Sequence, residues 1–147
     1  MTKSIKLITA VVIFLMTTPL AFAQHSSCHS TLTRSIKLDN SSKKEEIKIE
    51  VADDVKCLGI GLNSTISEGS LTVEIFDPNG DKQGNFSVES QMSSSSSSEG
   101  KNSEMVCGQL NKTIKEPMKG DWVVKLKPKK VTGKIQINSY QSDKPGS

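Results

Sequence analysis

Gly69-Ser70-Leu71-Thr72-Val73-Glu74-Ile75-Phe76-Asp77-Pro78-Asn79-Gly80 is the stretch that decides the fold class. Leu71, Val73 and Ile75 alternate with Thr72 and Glu74, the period-two signature of a strand with one buried face. The run ends in a tetrapeptide suited to a type I turn, with Asp at the first position, Pro at the second and Gly at the fourth.

The same period recurs outward from this stretch. Ile47, Ile49 and Val51 alternate with Glu46, Lys48 and Glu50, and Leu58, Ile60 and Leu62 alternate with Gly59 and Gly61. Glycines at alternate strand positions imply close approach of a neighbouring group. Phe86 and Val88, then Val106, Leu110 and Ile114, continue the series. Trp122, Val124 and Leu126 alternate with Val123, Lys125 and Lys127, and Ile135 with Ile137 closes it. Adding a strand over 31–38 gives about eight strands, and no segment carries a helical stripe. The sequence therefore predicts an all-β chain folded as a single antiparallel β-sandwich, with Trp122 in the core.

Before the first strand, residues 1–23 have the layout of a secretory signal peptide: Lys3 and Lys6, an apolar run from Leu7 to Met16, then Ala21-Phe22-Ala23. The apolar run is shorter than the roughly 20 residues that span a bilayer. Cleavage after Ala23 is expected to export the protein, to a periplasmic or secreted location, with no membrane attachment afterwards. Of the 147 residues, 124 remain, carrying 17 basic and 16 acidic side chains because Lys3 and Lys6 are lost. A near-neutral chain gives no electrostatic reason to bind nucleic acid. The reading divides the chain into signal peptide 1–23, flexible leader 24–30, β-domain 31–140 and polar tail 141–147. Within the domain, the serine run 93–98 is expected to be a solvated loop.

Three cysteines remain after cleavage into an oxidising compartment. Cys57 and Cys107 lie in candidate strands and are the expected disulfide, although the spacing leaves the other pairings open. Cys28 is then the unpaired thiol, available to link two chains.

Few residues suggest chemistry. Histidine occurs only as His25 and His29, both in the leader, so a nucleophile with a histidine base has no base in the folded domain. Asp53-Asp54, Glu45-Glu46 and Asp77 read as surface charges rather than paired catalytic acids. No enzymatic activity is expected. The cluster His25, Cys28, His29 offers borderline and soft ligands for Cu or Zn, three where a structural zinc site takes four. Lys125, Lys127 and Lys134, with Lys129 and Lys130 in an intervening hairpin loop, form a basic patch able to meet an anionic polymer or to guard a sheet edge. Acceptor patterns for N-glycosylation at Asn40, Asn63, Asn85 and Asn111 would matter only in a eukaryotic secretory pathway, and the leader reads as bacterial.

Two blocks carry a family resemblance. The stretch 69–80, with Pro117-Met118-Lys119-Gly120-Asp121-Trp122-Val123-Val124-Lys125-Leu126 some 40 residues later, resembles the bacterial pre-peptidase C-terminal type of domain and its jelly-roll relatives. In these, a strand enters an Asp-Pro-x-Gly turn and a later Pro-x-x-Gly-x-aromatic strand packs across from it. Trp122 fills the aromatic position. The resemblance implies a secreted, non-catalytic, jelly-roll-like sandwich and carries over no functional residues. Together these readings predict an exported binding module that contacts a protein or a cell-surface glycan, with a metal-binding leader as the alternative.

Overall fold

The computed structural model describes residues 28–90 and 105–144, with side chains from residue 32 onward. The expected signal peptide, His25 and the serine run lie outside the described residues. Six strands follow in order: β1 (Cys28–Ser41), β2 (Glu45–Val51), β3 (Cys57–Phe76), β4 (Lys82–Ser90), β5 (Val106–Lys115) and β6 (Gly120–Ser142). All pairings are antiparallel and join one sheet, so the all-β expectation holds.

The expected strand count of eight becomes six for a definite reason. The apolar runs at 58–62 and 71–75 are two halves of one 20-residue strand, β3, and those at 122–126 and 135–137 are two halves of the 23-residue β6. These long strands pair with each other along their length. On one flank, β2 pairs with the first half of β6 and β1 with the second; on the other, β5 pairs with the first half of β3 and β4 with the second. The sheet thus has two halves, β1-β6-β3-β5 and β2-β6-β3-β4, sharing their central strands.

The boundary between the halves is visible in the side-chain parity. In β3 the buried apolar residues are even-numbered from Leu58 to Ile66 and odd-numbered from Leu71; in β6 they are even-numbered up to Leu126 and odd-numbered from Val131. A one-residue slip would turn every side chain to the wrong face. Register shifts between Ile66 and Ser70 supply it in both strands at the same level and crease the sheet. Gly69 (φ +80°) sits in this crease, where an added Cβ would lie 2.4 Å from the carbonyl oxygens of both Lys129 and Lys130. Only glycine fits there.

The two halves fold over the crease onto one shared core, in the manner of a sandwich. Its residues come from both: Leu58, Ile60, Leu62 and Ile137 from one, Ile47, Leu71, Val73 and Trp122 from the other. Phe86 on β4 closes onto Gly108 on β5, where an added Cβ would meet its ring at 2.3 Å. Gln141 at the end of β6 donates through Nε2 to the carbonyl of Glu50 on β2, at 2.7 Å. Trp122 is core as expected, 2% exposed, with its indole N–H satisfied by the Met118 carbonyl at 2.9 Å. Truncating a fully buried residue such as Leu62 to alanine should cost about 2–5 kcal/mol.

The Asp77-Pro78-Asn79-Gly80 turn forms as expected, with the Gly80 N–H donating to the Asp77 carbonyl at 2.9 Å. Asp77 itself is buried rather than a solvated surface charge. Its carboxylate accepts the Asn79 and Asp81 backbone N–H groups and the Gln83 amide. Burial alone would raise its pKa, but these donors outweigh it and hold the carboxyl below its ordinary value.

Both ends of the expected domain extend. The flexible leader was expected to reach residue 30, but β1 starts at Cys28, opposite Ser142. The polar tail was expected from residue 141, but Gln141 and Ser142 belong to β6. Pairing with β1 and β3 on either side satisfies backbone groups that a frayed tail would leave to water.

Candidate functional site

The sheet has two outward faces, one behind each half, and they differ in chemistry. Behind β2-β6-β3-β4 the outward residues include charged side chains that pair with one another. Glu74, opposite Lys125 in the ladder, accepts ion pairs from Lys127 and Lys82, and Lys125 reaches Glu46 at 3.1 Å and lies over the Phe76 ring. Lys127 and Lys82 hold the Glu74 carboxyl down at about 2, from an ordinary 4.5. Nearby, Lys48 pairs with Asp121 and Lys119 with Asp53.

Behind β1-β6-β3-β5 the outward residues are mostly neutral amides and hydroxyls. The register arranges them in cross-strand rows. One row runs Ser35, Gln136, Asn63, Gln109; the next runs Thr33, Asn138, Gly61, Asn111. Five amides, Asn63, Gln109, Asn111, Gln136 and Asn138, therefore share one face across three adjoining strands. Four are exposed and Asn138 is half-buried, and none is committed to a side-chain hydrogen bond among the described residues. Each offers two donors and an acceptor.

Tyr140 closes one end of this face. Its ring covers Gly59, where an added Cβ would fall 1.9 Å from ring carbons, and its hydroxyl is 3.4 Å from Thr113 Oγ1. The glycine alternation in the sequence is thereby explained: Gly59 leaves room for an aromatic ring laid flat on the strand. Tyr140 remains 40% exposed. At the other end the row Lys37, Lys134, Thr65, Cys107 crosses the sheet. From Tyr140 to Lys134 the face is about 20 Å long at 3.3 Å per residue. A concavity of about 950 Å³ occupies the Lys134 end, with Ser35, Asn63, Gln136 and Thr65 in its floor and the exposed Met105 at its rim.

The expected lysine patch does not form. The hairpin expected to hold Lys129 and Lys130 in its loop is instead the continuous, creased middle of β6. Lys125 and Lys127 stand on the charged face in ion pairs, whereas Lys134 stands on the amide face beside Lys37.

Nor does the expected disulfide form: Cys57 is a buried free thiol and Cys107 an exposed one. Cys57 lies opposite Lys115 and Cys107 opposite Thr65, eight positions along the β3–β5 ladder. That is roughly 26 Å, far beyond the 7 Å Cα separation a bridge tolerates. Of the His25, Cys28, His29 cluster, the backbones of Cys28 and His29 open β1 opposite Ser142 and Gln141. His25 and the side chains of the other two lie outside the described residues, as does any Cys28 link between chains.

The amide face was missed at the level of sequence, although one strand of it was visible. Lys134, Gln136, Asn138 and Tyr140 alternate with Ile135, Ile137 and Ser139, so that an outward polar set accompanies the inward apolar set.

No family model matches the chain, and no curated protein matches it. Among solved structures it is similar to one described as "CBM4 structure and function", at 7% identity and a TM-score of 0.38, with 82% of this chain and 81% of that chain covered. A likeness of that degree carries no weight for fold or ligand.

Proposed function

We propose that the protein is an exported, non-catalytic binding module that holds a glycan on the amide face. One observation carries the reading: five side-chain amides, free of side-chain hydrogen bonds among the described residues, share one sheet face with an exposed tyrosine. Sugar hydroxyls donate and accept at once, and primary amides answer both. A tyrosine ring held flat presents a hydrophobic surface to the C–H face of a sugar while its hydroxyl stays wet. A rigid sheet keeps the amides preorganised, which lowers the ordering cost of binding.

Isothermal titration of the purified protein against a panel of oligosaccharides tests this. Saturable binding should weaken about tenfold in the double variant Asn63→Ala/Gln136→Ala, since each lost hydrogen bond is worth roughly 0.5–1.5 kcal/mol. Absence of binding across the panel, or full affinity in the double variant, would refute it.

A further inference from the structure

The concave end of the amide face sets two like charges side by side. Lys37 and Lys134 are directly opposite each other on the β1–β6 ladder, both outward and exposed. Like charges in that relation repel and destabilise the sheet. On the charged face Lys125 is answered by Glu46, Lys127 and Lys82 by Glu74, and Lys48 by Asp121. Neither Lys37 nor Lys134 enters an ion pair among the described residues.

We propose that Lys37 and Lys134 together receive the carboxylate of an acidic sugar, so that the ligand of the amide face is a uronate-containing oligosaccharide. This rests on the glycan reading above and narrows it. Asn63 and Gln136 lie one row away, within the same concavity, and are placed to bond the hydroxyls of the same sugar or its neighbour. The charge count selects the kind of anion. Asp39 lines the same concavity, so the end carries two positive charges and one negative. A net single positive charge matches one carboxylate per sugar better than a doubly charged phosphate monoester or a cluster of sulfates, which Asp39 would repel. Two ammonium groups on flexible stems act as point charges, suited to a carboxylate whose orientation the amides set.

The experiment compares matched pairs of oligosaccharides, in which the acid differs from the neutral sugar only by a carboxylate in place of the hydroxymethyl group: oligogalacturonate against oligogalactose, oligomannuronate against oligomannose. At low ionic strength the acid of at least one pair should bind about tenfold or more tighter than its neutral counterpart. That advantage should shrink in 1 M salt, where exposed charges are screened beyond about 3 Å. In Lys37→Gln/Lys134→Gln the ratio of acid to neutral affinity should fall to about one, whereas Lys125→Gln on the opposite face should leave it in place. Because the variant removes a like-charge pair, its ligand-free melting temperature should hold or rise, so a lost preference will not reflect misfolding.

Equal or tighter binding of the neutral sugars would overturn the uronate inference and leave the glycan reading standing. Tighter binding of a sulfated galactan oligosaccharide, which carries no carboxylate, than of every uronate would also overturn it. No binding of any sugar, acidic or neutral, would remove both.

Discussion

The two outward faces of the sheet are built on the same two strands, β3 and β6, yet they treat polar side chains in opposite ways. Behind β2 and β4 the charges close among themselves, and Glu74 alone accepts two lysines. Behind β1 and β5 the amides are left open, and Lys37 and Lys134 stand together with no ion pair among the described residues. A surface that satisfies itself gains stability and has little to offer a ligand. One that leaves its donors and acceptors to water can exchange those hydrogen bonds for a ligand's, which is why the proposed glycan site is placed there.

The contrast depends first on the crease. Gly69→Ala forces a Cβ against two backbone carbonyls at a positive φ. It should destabilise the protein by about 2–4 kcal/mol in chemical denaturation, the combined cost of strain and overpacking. A near-neutral effect would mean the two halves meet in some other way.

The next largest effect should fall on the amide face. Tyr140→Ala uncovers Gly59 and should weaken glycan binding about tenfold, from roughly 1–3 kcal/mol of lost stacking judged by aromatic stacking on other ring ligands. The melting temperature should move little, since the ring lies outside the core. A large drop in melting temperature would make Tyr140 a structural cover and blur the distinction between the faces.

On the charged face, Glu74→Gln should reverse that pattern, lowering stability at neutral pH while leaving glycan affinity alone. Glu74 titrates near 2 in the folded protein against 4.5 ordinarily. A lowered folded pKa contributes stability that is fully present above about pH 4.5 and is lost as the pH falls toward 2. Melting curves of the two proteins should therefore differ at pH 7 and converge near pH 2; a constant gap would assign the effect to packing.

The smallest effect is expected from Lys125→Ala. Its pair with Glu46 is largely solvated, and such pairs contribute under about 1 kcal/mol. A larger loss would give weight to its contact with the Phe76 ring.

Much of this fold was legible from residue alternation. The inward sets Leu58, Ile60, Leu62 and Leu71, Val73, Ile75 were visible, as was the turn at Asp77, because period-two patterning and turn chemistry are local properties. The joining of those sets into one strand was not. Residues 67–70 look like a turn between strands in isolation, and only the matching irregularity at 129–133 in β6 lets the chain continue as a creased ladder. Likewise Lys129-Lys130 suits a hairpin loop in isolation, and the continuous strand instead divides the expected lysine patch between two faces.

The sequence by itself determined which residues are strand, which side of each strand is apolar, and that Trp122 belongs inside, since these follow from neighbours two positions apart. Tertiary structure alone decided that Cys57 and Cys107 lie too far apart to bridge and that Asn63, Gln109 and Gln136 share a face. Both depend on the register between segments some 40 to 70 residues distant, which is settled by burial of the whole apolar set at once and is written in no single stretch of the chain.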